Sequence, residues 1–177
     1  MEITPRIHSI PAQVPFYAGL LAPNVFLVTD GGVGALFDSG FGDEGSVRAR
    51  LEYLREKQID LRYIILSHHH FDHSSGAHQL RQATGAQVVL HPQEERLLLD
   101  WESEVPQDVD APSAWQEVVE RFRRFRRLAA DAVPDLRLGD SETLRVGELT
   151  LQVAHTPGHT HGSICVYVRS RSLAGLF

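Results

Sequence analysis

Short apolar runs separated by turn residues occupy the first half of the chain. Val25–Val28 and Val33–Phe37 flank Thr29-Asp30-Gly31-Gly32, and an Asp-Gly pair between apolar runs is typical of a β-hairpin. Beyond the hairpin, helical and strand-like periodicities alternate as far as residue 91. The predicted elements are a helix at about 44–57, a strand at 63–66, a helix at 77–83 and a strand at 87–90. Such alternation predicts an α/β layered fold.

The second half of the chain changes its pattern twice. Residues 93–133 are mostly helical in period, and their longest helix carries an apolar stripe that predicts a buried face. The stripe consists of Trp115, Val118, Val119, Phe122, Phe125 and Ala129. Further on, apolar and polar residues alternate, so that 143–146 and 149–153 predict an antiparallel hairpin and 164–168 a further strand. We therefore expect one domain over residues 1–177, with a mostly helical insertion at about 93–133.

Composition predicts a globular protein and bears on its binding partners and cellular location. Of the 177 residues, 42% are hydrophobic, which is enough to bury a core, and the single cysteine, Cys165, excludes a disulfide scaffold. The formal net charge of −6 argues against a general nucleic-acid binder. We expect no membrane association, because no segment approaches the roughly 18 continuous apolar residues of a membrane span. We expect a cytoplasmic location, because there is one thiol and the first residues lack the pattern of a secretory signal.

Ten histidines are present, and four of them lie within residues 67–73, which read Ser-His-His-His-Phe-Asp-His. This segment directly follows a predicted strand. Alternate residues of extended chain face the same way, so His68 and His70 can bind one metal ion. Asp72 and His73 fall at the turn into a helix, where they can face a second metal ion. Imidazole and carboxylate ligands suit zinc, and also iron or manganese.

A catalytic metal ion bound by three protein ligands needs a further donor, and a second cluster offers one. This cluster is His155-Thr156-Pro157-Gly158-His159, which follows a predicted strand and presents His159 just before the next strand. Together the two clusters resemble the signature motifs of the metallo-β-lactamase superfamily of metal-dependent hydrolases. The resemblance extends over about residues 24–168. Asp38-Ser39-Gly40 also looks like that family's Asp-Thr-Gly, in which the aspartate supports the metal loop.

The resemblance implies a fold and a set of metal ligands. The family fold is an αββα sandwich, which we expect to be incomplete at the C-terminus here, since Leu176 stands where the family has a bridging aspartate. One metal ion would be bound by His68, His70 and His159, and the other in part by Asp72 and His73. The family implies two zinc ions, and a single ion is the alternative for this chain.

The resemblance also implies a reaction. We expect a zinc-dependent hydrolase that uses metal-activated hydroxide to cleave an ester, thioester or lactone bond in a small-molecule substrate. Asp72 is the expected catalytic residue, which orients the attacking water and passes its proton to the leaving group. The alternatives are a mono-iron persulfide dioxygenase, an RNA-acting metallo-nuclease and a catalytically impaired metal-binding fragment. The sequence is compatible with a homo-oligomer.

The arginine cluster at residues 121–127 and His69 are interpreted as structural features. Residues 121–127 contain five arginines, which we interpret as a solvated helix face, because Glu117 and Glu120 lie four residues before two of them. As an alternative, this helix forms a wall of the substrate pocket and its basic face favours an anionic substrate. His69, which lies between two expected ligands, is interpreted as a bystander.

Overall fold

The computed structural model describes residues 1–10, 23–100, 102, 113–169 and 174–176. The strands in these ranges are β1 (Glu2–Thr4), β2 (Ile7–Ile10), β3 (Val25–Asp30), β4 (Val33–Phe37), β5 (Asp60–Ile65), β6 (Gln87–Leu90), β7 (Leu136–Arg137), β8 (Thr143–Val146), β9 (Leu149–His155), β10 (Ile164–Arg169) and β11 (Ala174–Leu176). The helices are α1 (Glu44–Glu56), α2 (Phe71–Ser74), α3 (Ala77–Thr84), α4 (Pro92–Leu99) and α5 (Ser113–Ala130).

Backbone hydrogen bonds join the strands into two sheets. The first sheet has seven strands in the order β1-β2-β3-β4-β5-β6-β7, with parallel pairing from β4 to β7 and antiparallel pairing elsewhere. The predicted first hairpin is β3–β4, in which Phe26 lies opposite Phe37. The second sheet is antiparallel in the order β11-β10-β9-β8. The predicted late hairpin and final strand are thereby confirmed as β8, β9 and β10.

Two apolar cores separate the layers. The first core lies between the helices and one face of the seven-stranded sheet, and includes Leu54 of α1, Leu80 of α3 and Leu98 of α4. The second core lies between the two sheets, where Val89 of β6 and Leu151 of β9 are among the buried residues. The layers are therefore helix, sheet and sheet, which confirms the predicted α/β sandwich class. Within the described ranges, no helix packs on the far face of the four-stranded sheet.

Local sequence signals determine where helices begin and end. Asp43 caps α1, because its side chain accepts a hydrogen bond from Ser46 N at 3.0 Å. Gly85 ends α3 with φ of 76°, a left-handed conformation that favours glycine, as the sequence predicts. None of the helices in the described ranges combines the length and apolar character that a bilayer crossing requires.

The apolar stripe of α5 is buried over only part of its length, and this corrects the sequence prediction. Phe125 and Ala129 lie in the core, whereas Trp115 is 60% exposed and Phe122 is 39% exposed. The Phe122 ring instead packs edge-on against Phe71 of α2, with centroids 4.5 Å apart. The C-terminal half of α5 is therefore the part that anchors this helix to the molecule.

Arg126 contradicts the interpretation of the arginine cluster as a solvated face. Its side chain is only 1% exposed, and its guanidinium donates from Nη2 to Leu97 O at 3.1 Å and to Asp100 O at 3.4 Å. These carbonyls lie at the C-terminal end of α4, where helix carbonyls lack partners within their own helix. Arg126 therefore joins α5 to the end of α4. Arg124 and Arg127, by contrast, are exposed as expected.

Two loops that carry expected site residues contact each other through glycines. A Cβ atom on Gly42 would lie 2.1 Å from Ser75 O, and one on Gly76 would lie 2.9 Å from Ser39 O. Hydrogen bonds run across the same contact, from Gly42 N to Ser75 Oγ at 3.0 Å and from Gly76 N to Gly40 O at 3.0 Å. The loop after β4 and the segment after α2 are thus fixed at a separation that only glycine permits.

Replacing Gly42 by alanine should therefore destabilise the protein. We expect Gly42→Ala to lower the free energy of unfolding by about 1–3 kcal/mol, because the added methyl group forces two backbone segments apart. The measurement is urea denaturation of the metal-free protein. Gly139→Ala is the matched control, since the nearest atom to its Cβ would be 3.6 Å away. Equal unfolding free energies for the two variants would show that the loop contact adapts.

Candidate metal centre

The expected ligands lie at the carboxyl edge of the seven-stranded sheet. β4, β5 and β6 are parallel, so the residues that follow them share one edge. Asp38 follows β4, the histidine segment follows β5, and His91 follows β6. The loop between β9 and β10 reaches the same edge, where Ile164 N donates to Ser67 O at 3.0 Å. The fold thus brings the two histidine clusters together.

Three of the five expected ligands form one cluster. His68, His70 and His159 each offer a ligand atom, and these atoms all lie within 4.8 Å of one another. His70 Nδ1 and His159 Nε2 are 3.0 Å apart, close to the separation of about 3.3 Å that two nitrogens have on a tetrahedral zinc ion. His68 Nε2 is buried and has no hydrogen-bond partner among the described residues. The donor set therefore fits a metal ion.

The electrostatics of His68 also suit a metal ligand. Burial, together with charge repulsion from the neighbouring His73, His70 and His159, lowers the pKa of His68 to about 3. Its imidazole is neutral at physiological pH, which is the form that binds metals. Its other nitrogen, Nδ1, lies 2.8 Å from Ser67 Oγ, which fixes the orientation of the ring.

Asp72 and His73 lie beside this cluster and do not belong to it. Both lie in α2, and His73 Nε2 is 3.5 Å from Asp72 Oδ2. The rings of His68 and His73 have centroids 4.3 Å apart. The two side chains are therefore adjacent to the three histidines, and they are placed as a pair that could contribute to a neighbouring metal position.

Asp38 joins the histidine segment to the end of β4. Its Oδ1 accepts from Ser67 N at 2.7 Å, and its Oδ2 accepts from Ser67 Oγ at 2.9 Å and lies 2.7 Å from His73 Nδ1. Burial lowers the pKa of His73, but the hydrogen bond to Asp38 and the charges of Asp38 and Asp72 outweigh burial and raise the pKa above its ordinary value. The supporting role that the resemblance assigns to this aspartate agrees with these contacts.

His69 does not belong to the cluster of His68, His70 and His159, which agrees with its interpretation as a bystander to the metal ligands, but it is buried and has a structural contact of its own. It is 2% exposed, and its backbone N donates to Glu94 Oε2 at 2.9 Å while its Nδ1 contacts the same oxygen. Burial raises the pKa of Glu94, but hydrogen bonds from His69, Thr160 and Gly162 outweigh burial and lower the pKa to about 2. The sequence holds no signal for this contact, because Glu94 lies 25 residues from His69 and 68 from Gly162.

Most of the arginine cluster is paired or buried. Arg121 donates to Glu117 Oε1 at 2.9 Å and Arg123 donates to Glu120 Oε1 at 2.6 Å. The first pair has the predicted spacing of four residues, whereas the second has a spacing of three. The positive charge of this helix is therefore smaller than the count of arginines indicates.

Comparison with known proteins agrees with the motifs. The family model described as the metallo-beta-lactamase superfamily matches residues 18–174. Acyl-coenzyme A thioesterase MBLAC2 from Homo sapiens is 31% identical over 183 residues, which cover 91% of this chain and 59% of that protein. Hydroxyacylglutathione hydrolase from Cereibacter sphaeroides is 31% identical over 153 residues, which cover 84% of this chain and 44% of that protein.

Solved structures show the same architecture. A metallo-beta-lactamase family protein from Thermus thermophilus superposes with a TM-score of 0.67 at 28% identity, over 94% of this chain and 56% of that one. By its fold and by the family model that covers most of its length, the chain belongs to the metallo-β-lactamase superfamily. It spans 59% and 44% of the lengths of the two curated relatives named above.

Replacing Asp38 by asparagine should remove a pH-dependent part of the stability. The raised pKa of His73 stabilises the fold fully below its unfolded pKa of about 6.5, and this contribution is lost as the pH rises through the folded pKa. For metal-free protein, we expect Asp38→Asn to cost about 2 kcal/mol at pH 5.5 and less at pH 9. Urea denaturation at both pH values measures this. Asp60→Asn, at an exposed ion pair with Arg62, is the control. A cost that is the same at both pH values would contradict the contribution of His73.

Proposed function

We propose that this protein is a zinc-dependent hydrolase that cleaves an ester, thioester or lactone bond in a small molecule. The observation that carries the proposal is the cluster of His68, His70 and His159, whose ligand atoms lie within 4.8 Å of one another. Two relatives support the reaction class, since one is named a thioesterase and the other a hydrolase. Ligand chemistry supports zinc, because three imidazoles with an open fourth position are typical of catalytic zinc.

The five expected ligands divide between two metal positions in this proposal. The first position has a complete set of three protein ligands, which are His68, His70 and His159. The neighbouring position has two protein ligands, which are Asp72 and His73. The proposal therefore predicts one or two bound zinc ions per chain. Zinc at this site would supply a Lewis acid and lower the pKa of a bound water to about 7.

Asp72 is the residue that we assign to proton transfer. Its carboxylate is partly exposed beside His73, so that it can contact both solvent and a bound substrate. In the proposed reaction Asp72 accepts a proton from the attacking water and returns it to the departing oxygen or sulfur. His73 Nε2 lies 3.5 Å from this carboxylate, and Asp38 contacts the other nitrogen of the same ring.

Helix α5 is the element that we propose as a wall of the substrate site. Phe71 directly follows the ligand His70, and its ring contacts Phe122 of α5 at a centroid distance of 4.5 Å. The exposed rings of Trp115 and Phe122 can contact an apolar part of a substrate. The remaining exposed arginines on this helix would favour a substrate that also carries negative charge.

A domain assignment and a cellular location complete the proposal. We propose that residues 1–177 form one domain, since the seven-stranded sheet is shared by both apolar cores. Cys165 is a free thiol, which is typical of a protein in the reducing cytoplasm.

Removing one of the three clustered histidines should abolish stoichiometric zinc binding. We expect His159→Ala and His68→Ala each to lose the bound zinc of the three-histidine cluster, because two imidazoles leave the tetrahedral set incomplete. Elemental analysis of the purified proteins measures this. His161→Ala is the matched control, as His161 is exposed and only its backbone oxygen has a described contact, with His155. Zinc content at the wild-type level in His159→Ala would refute the assignment.

Replacing Asp72 should separate chemistry from metal binding. We expect Asp72→Asn to retain zinc in the three-histidine cluster and to lower kcat by about 10²- to 10⁴-fold, because proton transfer is lost. Turnover is measured with ester, thioester, lactone and phosphodiester substrates, and Asp131→Asn on the surface is the control. Wild-type protein that binds zinc and cleaves none of the carbonyl substrates would refute the hydrolase. Bound iron with oxygen consumption would identify the dioxygenase instead.

A further inference from the structure

Glu94 has a carboxylate that is fully buried and accepts several hydrogen bonds. It lies in the first turn of α4, where the positive end of the helix favours a negative charge, and it is 0% exposed. Its Oε2 accepts from His69 N at 2.9 Å and contacts His69 Nδ1, and its Oε1 accepts from Gly162 N at 2.6 Å. The Thr160 hydroxyl is a further partner. The carboxylate is thus fully enclosed by donors.

These donors belong to the two segments that carry the clustered histidines. His69 lies between His68 and His70 in the first segment, and Thr160 directly follows His159 in the second. Each oxygen of Glu94 accepts from one of these two segments. Among the described residues, this side chain therefore connects the two segments through residues that lie within three positions of a clustered histidine.

The second segment packs closely against Glu94. A Cβ atom on Gly162 would lie 2.7 Å from Glu94 Cγ, 2.8 Å from its Oε1 and 3.0 Å from His91 Nδ1. Glycine at this position lets the backbone approach the carboxylate closely. The second segment consequently lies within hydrogen-bonding distance of α4 at a point where residue 162 has no Cβ atom.

A buried carboxylate is expensive to desolvate, and an apolar residue often gives equal or greater stability. Stability alone therefore does not require an ionised group at this place. What the carboxylate provides, and an apolar side chain does not, is a directional bond to each segment. Directional bonds to both segments are needed where the ligands of one metal ion come from two parts of the chain.

We propose that Glu94, through His69, Thr160 and Gly162, is a positioning residue that sets the separation of His159 from His68 and His70. The inference rests on the proposed metal site and is independent of the reaction that the site performs. Outer groups that orient metal ligands typically contribute about 10- to 100-fold to metal affinity. Glu94 is assigned to this role although it contacts none of the three ligands directly.

The test compares zinc affinity in Glu94→Gln and Glu95→Gln. The amide of glutamine has one acceptor oxygen, so one segment loses its acceptor and faces an N–H group. We expect Glu94→Gln to bind zinc about 10- to 100-fold more weakly than wild type, measured by competition with a chromophoric chelator. Cobalt substitution should show a weaker tetrahedral absorption band. Glu95→Gln is the matched control, because Glu95 lies on the same helix and pairs with Arg137 at the surface. It should bind as wild type does.

A milder variant covers the case in which Glu94→Gln does not fold. Thr160→Val keeps the shape of the side chain and removes only the hydroxyl, and we expect about fivefold weaker zinc binding. Thermal unfolding of the metal-free variants measures their stability, so that an effect on zinc affinity can be distinguished from an effect on folding. Lower stability with wild-type zinc affinity in the folded variants would overturn the inference. Failure of the wild-type protein itself to bind zinc would overturn the metal site, and the inference with it.

Discussion

The packing of the two sheets against each other determines where the candidate site forms. Side chains alternate along β9 and β10, so Leu151, Val153 and Val166 face the seven-stranded sheet. A register shift of one residue would turn these side chains to the far face, which makes the pairing strongly specified. With the register fixed, the loop between β9 and β10 lies at the carboxyl edge of β5, where Ile164 N bonds to Ser67 O.

Two buried carboxylates then fix the loops at this edge more finely than apolar packing can. Asp38 follows β4 and bonds to Ser67 and His73, whereas Glu94 lies on the helix after β6 and bonds to His69 and Gly162. Apolar contacts are not directional, but hydrogen bonds to a charged group fix both distance and angle. The histidine segment therefore has a directed contact on each side, one from the loop after β4 and one from the helix after β6.

Local features of the sequence predict much of this arrangement, and features that depend on distant partners are not predictable in this way. The alternation of His68 and His70 after a strand predicts that they converge. Glu94, by contrast, is one of two adjacent glutamates, and only the fold shows that it is buried while Glu95 pairs with Arg137 at the surface.

Helix α5 shows the same limit of sequence-based prediction. Periodicity indicates which residues share a face of the helix but not how much of that face a neighbouring element covers. The burial of Arg126 follows from the end of α4, whose carbonyls need donors, and this need is invisible in the sequence of α5 itself.

The charge distribution around the three-histidine cluster has a chemical consequence for the proposed reaction. The lowered pKa of His68 keeps this ligand neutral, and the carboxylates of Asp38 and Glu94 contact His73 and His69 rather than the clustered nitrogens. A divalent ion bound by three neutral imidazoles keeps most of its charge, which is the condition under which a bound water ionises near pH 7. The carboxylates act from a greater distance, so they favour binding of the cation without neutralising it by direct contact. In the proposed reaction His68, His70 and His159 would hold the ion, and Asp72, which is partly exposed beside them, would be available for proton transfer.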